Sequence, residues 1–351
     1  MTAQSTRMHI AGTGSALPGD PVDNAAMSTV FRISEDWIDL FVGTRTRHFG
    51  WDLRTGKVTH TLTDLCAESA ARALAAAGAH PADLDFLVLA TATPDALLPT
   101  TANETADRLG LNHLPTYQIQ AGCSGAVQAL DLARALLAGG HRAGLVVAGD
   151  VTDRFLAPGC DASALATQEL VNYVLFGDGA AAAVVTADPY DNTVAVRGLL
   201  HRFTGQGRPP GQIVGWHGAA EPDPSRQMLY EDYKTIEDEV PLLAGEIVWE
   251  LLQTAGWRPQ DVDYVLPPQL SGRMTERIAA GLGLPDSSRE VSCVRDTGNT
   301  GNALPLLQLD RLLGQLAPGE RALSAVVESS KWIKAGLALE KPAAREAGRS
   351  R

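Results

Sequence analysis

The sequence has few aromatic residues, few cysteines and no long apolar run. Aromatic side chains make up 5% of its 351 residues, and the four cysteines, Cys66, Cys123, Cys160 and Cys293, lie far apart. None of them has the C-x-x-C spacing or a histidine at ligand spacing, which argues against a disulfide framework and against a zinc site. No apolar run approaches the length of a membrane span, and the first 20 residues lack the pattern of a signal peptide. We therefore expect a cytoplasmic protein.

Positive charge is also scarce relative to negative charge. The 29 lysines and arginines stand against 41 aspartates and glutamates, which gives a formal net charge of −12. This excess argues against nucleic acid or an anionic membrane as the main partner, because both repel a negative surface. It leaves room for a local basic patch that holds a phosphate-bearing cofactor.

The length and the pattern of apolar runs predict two α/β halves. A chain of 351 residues exceeds one ordinary core, and short apolar runs that read as strands alternate with helical patterns in both parts of the chain. We expect one half at 1–187, a second at 188–340 and a disordered tail at 341–351. The stretch 202–225, rich in glycine and proline, predicts a long surface loop that faces substrate.

The stretch Tyr117–Val127 places a thiol between a predicted strand and a predicted helix. A short strand leads to Cys123, small residues follow, and apolar residues then recur at helical spacing. A helix N-terminus offers free backbone N–H groups and the positive end of the helix dipole, which lower the pKa of a thiol. The pattern predicts a nucleophilic cysteine with a lowered pKa, and the alternative is a small, inert core residue.

Several short motifs occur together in an order that resembles one family of enzymes. In chain order they are Leu17–Pro18–Gly19, Ser34–Glu35–Asp36–Trp37–Ile38, Ala121–Gly122–Cys123–Ser124–Gly125, Phe176–Gly177–Asp178–Gly179–Ala180, Pro267–Pro268–Gln269 followed by Arg273, and Gly298–Asn299–Thr300. Through them, the chain from about residue 8 to 338 resembles the thiolase-fold condensing enzymes, and most of all β-ketoacyl-acyl-carrier-protein synthase III. Each motif is weak by itself, and the ordered set is specific.

The resemblance implies a five-layered αβαβα fold of two similar halves, assembled as a homodimer. It implies that Cys123 takes an acyl group from a thioester of coenzyme A or of a carrier protein's phosphopantetheine, with no permanently bound cofactor and no metal. Trp37 matches a tryptophan that stacks on the adenine of coenzyme A, and Arg154 matches an arginine on the other face of that ring. The plainer alternatives are an exposed tryptophan and a surface arginine. Gly177–Asp178–Gly179 is expected to be a structural turn.

The sequence departs from the family at the residues that serve decarboxylation. The family histidine is replaced by Pro268, which has neither a side-chain donor nor a backbone N–H. Gln269 could donate a hydrogen bond instead if the strand register slipped by one residue, and otherwise points to the opposite face. Asn299 matches the family asparagine, and Asn302 is a second candidate amide. The alternative role for Asn299 is to cap the helix that follows.

The turn that completes the oxyanion hole in the family also differs here. The family has a Gly-rich turn, whereas this chain has Glu328–Ser329–Ser330–Lys331–Trp332. A backbone donor near Ser329 and Ser330 can survive this change, because every residue except proline has an N–H. Ser330 or Lys331 could supply a donor or a base, and the alternative for Lys331 is an ordinary exposed lysine.

Three functions are compatible with these residues. The first, which we favour, is transfer of an acyl group from Cys123 to an oxygen, nitrogen or carbon acceptor without decarboxylation, in specialised metabolism. The second is a decarboxylative β-ketoacyl synthase III in which Gln269 and Asn299 replace the histidine. The third is a non-catalytic partner subunit of an active ketosynthase. Retention of Cys123 together with loss of the histidine favours the first, because loading requires only a thiolate and an oxyanion hole.

Overall fold

Strands and helices alternate along the part of the chain that the structure describes. The computed structural model describes residues 8–152, 162, 165, 167–189, 192–215 and 229–343. The strands are β1 His9–Ala16, β2 Val22–Asp23, β3 Thr46–Arg47, β4 Leu87–Thr91, β5 Thr116–Gln120, β6 Ala143–Asp150, β7 Gly179–Thr186, β8 Val194–Phe203, β9 Gln212–Val214, β10 Leu229–Glu231, β11 Tyr264–Leu266, β12 Arg289–Glu290, β13 Arg321–Glu328 and β14 Ile333–Glu340. The helices are α1 Asn24–Phe31, α2 Glu35–Phe41, α3 Leu62–Ala77, α4 Thr101–Arg108, α5 Gly125–Ala138, α6 Thr167–Leu175, α7 Tyr233–Ala255, α8 Gly272–Gly281, α9 Val294–Thr297 and α10 Leu304–Leu313.

The main sheet contains the same five-stranded arrangement twice. Its order is β12-β11-β13-β14-β8-β1-β7-β6-β4-β5, so that the two outer sets read the same from each edge inward. The pairings match as well: β4 is parallel to β5 and β6, as β11 is to β12 and β13, and the remaining pairs within each set are antiparallel. Strands β1 and β8 join the sets through His9–Ala195 and Ile10–Val194. The prediction of an α/β fold made of two similar halves is confirmed.

The helices form three layers around these two sets of strands. Helices α5 and α10 share one apolar cluster with residues of both sets, which puts them in the middle. Helix α3 packs on the outer face of the first set and helix α7 on the outer face of the second. As a result, the start of α5 meets the segment that leads into α10 at the centre of the molecule.

The segment at 202–225 is only partly a loop. Strand β8 runs on to Phe203, and Gln212–Val214 pairs antiparallel with Leu229–Glu231. Residues 216–228, and the predicted tail from residue 344 onward, lie outside the described residues. In the part of the chain that is described, no helix is both long enough and apolar enough to cross a membrane.

Close packing of β1 on α3 gives a stability prediction for Gly14. A Cβ at this position would lie 2.5 Å from the Ala73 nitrogen and 2.5 Å from the Ser69 oxygen, both of them backbone atoms of α3. Because backbone cannot rotate away, Gly14→Ala should lower the free energy of unfolding by about 3 kcal/mol. Gly245→Ala is the control: a Cβ there meets nothing within 4 Å inside helix α7. It should stabilise the protein by about 0.5–1 kcal/mol. Denaturant unfolding measures both variants. Equal losses of unfolding free energy in the two would contradict the prediction.

Candidate active site

Cys123 lies between the end of strand β5 and the start of helix α5. The helix begins at Gly125 with Ser124 as its N-cap residue, and the Ser124 side chain makes no capping hydrogen bond. Apolar and small residues bury one face of the helix, which fixes its position under the strands. The predicted strand, turn and helix around Cys123 are confirmed, and the residue is half-buried, between the core and the surface.

A mostly apolar pocket opens beside the Cys123 thiol. The space between its lining residues, with the open solvent at its mouth included, is about 310 Å³. It is lined by Cys123, Pro268, Gln269, Leu270, Gly301, Leu304, Pro305, Gln308, Ala325, Val326 and Val327. Pro268 is therefore placed next to the cysteine, where the resemblance puts a histidine, and none of the pocket-lining residues is a histidine.

The prediction that the helix N-terminus lowers the pKa of Cys123 is wrong. The pKa of the thiol is raised well above its usual range, first by burial and then by the negative charges of Glu328, Asp150 and Glu231. Its own backbone N–H acts in the opposite direction and is outweighed. Desolvation and nearby carboxylates both disfavour a thiolate, so the resting residue is a thiol at neutral pH.

This raised pKa predicts a steep pH dependence of Cys123 alkylation. Only the thiolate reacts with iodoacetamide, so the rate at Cys123 should be low at pH 7 and rise about tenfold per pH unit up to pH 9. Peptide-level mass spectrometry resolves Cys123 from the other cysteines, of which Cys66 and Cys293 are fully buried. Rapid alkylation at pH 7 that no longer increases above pH 8 would contradict the raised pKa.

Gln269 is held by the backbone of the segment before helix α9. Its Oε1 accepts hydrogen bonds from the N–H groups of Cys293 at 2.8 Å and Val294 at 2.9 Å, and from the Ser292 hydroxyl at 3.0 Å. Its Nε2 donates one long bond of 3.4 Å to the Pro267 carbonyl. The side chain borders the pocket, but its oxygen organises the protein chain, as expected for a strand whose register has not slipped.

The two candidate asparagines have different environments. The Asn299 Oδ1 accepts a hydrogen bond from the Gly301 N–H at 3.0 Å, and among the described residues its Nδ2 has no hydrogen-bond partner. The Asn302 Nδ2 donates to the Ala121 carbonyl at 2.6 Å and to Asp150 at 2.9 Å. Both asparagines are buried, at 3% exposure for Asn299 and 0% for Asn302, and Asn302 braces the turn before Cys123.

In the turn between β13 and β14, a residue other than glycine adopts a backbone conformation that is typical of glycine. Trp332 has φ +63°, a conformation that is unfavourable for a bulky residue. Its indole N–H donates to the Pro209 carbonyl at 2.7 Å, and the Arg208 guanidinium lies 4.5 Å from the ring centroid. These contacts hold the turn in place. Lys331 is exposed and donates to the Arg208 carbonyl, and Ser330 donates to a Glu328 oxygen at 2.5 Å.

Two buried carboxylates that sequence reasoning missed lie at equivalent positions in the two halves. Asp150 is the last residue of β6, and Glu328 is the last residue of β13, the equivalent strand of the second half. Asp150 accepts from the backbone N–H of Asn302 at 2.8 Å, and Glu328 accepts from the backbone N–H of Ser124 at 3.2 Å. Each half thus uses a strand-end acid to hold the turn of the other half. An acid that ends an apolar strand in both halves was the signal available in the sequence.

The predicted coenzyme A contacts are only partly placed by the structure. Trp37 lies in helix α2, half-buried, with its ring centroid 5.5 Å from that of Phe41, which is 61% exposed. Arg154 lies outside the described residues.

Asp178 accepts backbone hydrogen bonds from Gly50 at 2.7 Å and from Thr152 at 2.6 Å, as suits a structural turn. Across the described ranges, no group of three or more His, Cys, Asp and Glu side chains could hold a metal ion.

Two family models match successive parts of the chain. Residues 45–189 match the N-terminal domain of chalcone and stilbene synthases. Residues 252–328 match the C-terminal part of 3-oxoacyl-(acyl-carrier-protein) synthase III. The first match contains Cys123 and the second contains Pro268 and Glu328, so both halves of the site lie within matched regions.

Known proteins resemble the whole chain. The beta-ketoacyl-(acyl-carrier-protein) synthase III 3 of Streptomyces coelicolor is 34% identical over 90% of this chain and 91% of its own length. The structure of AbyA1, described as a tetronic acid condensing enzyme, is 51% identical with a TM-score of 0.92 and covers 95% of this chain and 99% of that one. The structure of 3-oxoacyl-(acyl carrier protein) synthase III from Pseudomonas aeruginosa is 27% identical with a TM-score of 0.81, covering 96% and 98%.

Proposed function

Because the chain belongs to the β-ketoacyl-acyl-carrier-protein synthase III family of thiolase-fold condensing enzymes, we propose that it transfers an acyl group through a Cys123 thioester without decarboxylating the acceptor. The observation that carries the proposal is Pro268 beside Cys123 in a pocket that no histidine lines. The nucleophile is retained, and the group that would assist loss of carbon dioxide is replaced by one that can neither donate nor accept a proton. Gln269 does not replace it, because its oxygen is held by backbone N–H groups.

The acceptor that fits this site is a carbon already activated by its own carbonyl groups. A carbon flanked by two carbonyls loses a proton readily, so a carbanion forms without decarboxylation. A tetronic acid ring is a five-membered lactone whose assembly requires one bond from such a carbon to an acyl carbonyl and one ester bond. The 51% identity to a tetronic acid condensing enzyme supports a product of this class. We propose that a 2-hydroxyacyl group on Cys123 is transferred to the central carbon of a 3-oxoacyl thioester.

The donor and assembly follow from the same proposal. We propose that the acyl donor is a thioester of coenzyme A or of a carrier protein, that Trp37 and Arg154 hold the adenine where coenzyme A is used, and that Asn299 directs its free Nδ2 donor at the acceptor. We also propose a homodimer formed through β5, an edge strand of the main sheet. Its Tyr117 is 37% exposed.

Discharge of the acyl-enzyme tests the function directly. The protein is first incubated with lactyl-coenzyme A or acetyl-coenzyme A, and intact-protein mass spectrometry records the adduct. Acetoacetyl-coenzyme A is then added as a non-decarboxylating acceptor. We expect the adduct mass to disappear with formation of a carbon-acylated product, and the lactyl product to close to a lactone. An adduct that acetoacetyl-coenzyme A leaves intact would contradict the proposal.

One alternative has an observation in its favour. The 34% identity to a beta-ketoacyl-(acyl-carrier-protein) synthase III favours ordinary decarboxylative condensation. In that case malonyl-coenzyme A would discharge the acyl-enzyme and release carbon dioxide. The partner-subunit alternative gains no support from a site that retains Cys123 and a pocket beside it.

A further inference from the structure

The Glu328 carboxylate lies against the backbone on both sides of Cys123. A Cβ built on Gly122 would be 3.3 Å from Oε1, and Oε2 accepts the Ser124 N–H at 3.2 Å and the Ser124 hydroxyl. The side chain is only 4% exposed, so water does not screen it effectively. Val327, the residue before it, lines the pocket beside the thiol. Glu328 is thus a buried carboxylate packed against the backbone on both sides of the residue that carries the thiol.

Comparison with Asp150 shows which part of Glu328 is not needed for structure. Asp150 accepts hydrogen bonds on both oxygens from backbone N–H groups, of Ala92 at 2.8 Å and of Asn302 at 2.8 Å. Glu328 accepts a backbone N–H on Oε2 alone. Among the residues that the structure describes, its Oε1 receives only the Ser330 hydroxyl, at 2.5 Å. A hydroxyl can rotate and accept instead of donate, so Oε1 can take up a proton without leaving a buried N–H opposed to it.

We propose that Glu328 is the base of this enzyme: its Oε1 accepts the Cys123 thiol proton during loading and returns it to the departing thiol. In loading, the Cys123 S–H bond breaks as the sulfur–acyl bond forms, the donor's carbon–sulfur bond breaks, and the proton passes through Glu328 to the donor sulfur. In transfer, the acceptor C–H proton passes to Glu328, the acceptor–acyl bond forms, and the Cys123 sulfur leaves and regains the proton. Both sequences return the carboxylate and balance without an added reagent. The inference rests on the proposed acyl transfer through Cys123.

The local electrostatics agree with this role. After burial itself, the Glu328 charge is the largest cause of the raised pKa of Cys123. A thiol held protonated needs a base within reach when a thioester arrives, because little thiolate is present beforehand. Pro268 supplies none. The same negative charge that suppresses the resting thiolate can therefore remove its proton at the moment of attack.

Removal of the Glu328 charge should change two reactions of Cys123 in opposite directions. In Glu328→Gln the thiol pKa falls, so alkylation by iodoacetamide at pH 7 should become several-fold faster. Loading from acetyl-coenzyme A needs the base and should become at least about 100-fold slower. A role confined to holding the Ser124 turn would slow both reactions together, and that result overturns the proposal. Loading within about threefold of the unmodified protein overturns it as well.

Glu231→Gln is the matched control. Glu231 is 8% exposed and also raises the pKa of Cys123, but it makes no hydrogen bond to the Ser124 turn. Its replacement should speed alkylation and leave loading undiminished. The unmodified protein gives a second test that needs no variant to fold: loading should persist at pH 6, where alkylation is negligible. Loading that follows the same pH curve as alkylation overturns the role of Glu328, whereas no loading at any pH overturns the acyl-transfer function itself.

Discussion

Replacing Cys123 by alanine should abolish acyl-enzyme formation and reduce product formation by at least about a thousandfold. The reason is that the acyl group has no other attachment point in the pocket: the remaining pocket-lining side chains are apolar or amide. Intact-protein mass spectrometry after incubation with acetyl-coenzyme A measures the adduct, and product assay with acetoacetyl-coenzyme A measures turnover.

Cys66→Ala is the control for that substitution. Cys66 is fully buried in helix α3, and burial raises its thiol pKa well above the usual range. Its loss removes one sulfur atom from the outer layer and should leave both adduct and turnover in place. An adduct of unchanged size in Cys123→Ala, or one that disappears in Cys66→Ala, would show that the thioester forms elsewhere.

The second large effect concerns stability and Asp150. Its carboxylate ties the ends of β4 and β6 to the turn before α10. Oδ1 accepts from the Thr91 hydroxyl at 3.0 Å, the Ala92 N–H at 2.8 Å and the Thr93 hydroxyl at 3.1 Å, and Oδ2 accepts from the Asn302 N–H at 2.8 Å and Nδ2 at 2.9 Å. Burial raises its pKa, and these hydrogen bonds oppose that rise. The group is therefore costly to bury and is retained for the contacts it makes.

Asp150→Asn should lower the free energy of unfolding by about 3 kcal/mol. Each oxygen of the carboxylate accepts a backbone N–H that cannot turn away, so the NH₂ group of the new amide must face one of these two donors. Asp310→Asn is the matched control. Within the described part of the chain, Asp310 accepts only the hydroxyls of Thr13 and Ser15, each at 2.7 Å, and hydroxyls can reverse their direction. It should change stability by less than about 1 kcal/mol. Denaturant unfolding measures the free energy of unfolding of both variants. Equal effects of the two substitutions would contradict the structural role proposed for the Asp150 hydrogen bonds.

The fold was predictable because its elements are strongly patterned. Strands such as β6 and β7 are uninterrupted apolar runs because both of their faces are buried. Helix α7 has regularly spaced apolar residues because one of its faces is buried. Strand β12 has two exposed residues and no such pattern, so only its pairing with β11 reveals it.

The site was less predictable because its chemistry depends on contacts between the halves. The Cys123 turn could be recognised locally, but its pKa is set by carboxylates from distant parts of the chain, among them Glu328 and Asp150. A helix N-terminus alone predicts the opposite direction. In the same way, the Asn302 amide could be named as a candidate, while its role as a brace depends on Ala121 and Asp150. Local sequence identifies the candidate nucleophile and leaves its electrostatic surroundings undetermined.

The proposed function requires that an acyl group leave Cys123 for an acceptor that has not lost carbon dioxide. The most direct test loads the protein with an acetyl group and then adds carboxyl-labelled malonyl-coenzyme A or, in parallel, acetoacetyl-coenzyme A. We expect acetoacetyl-coenzyme A to discharge the acyl-enzyme. We expect malonyl-coenzyme A to release no more labelled carbon dioxide than a Cys123→Ala blank. Labelled carbon dioxide released in step with acyl-enzyme discharge would contradict it, since the site would then decarboxylate despite Pro268.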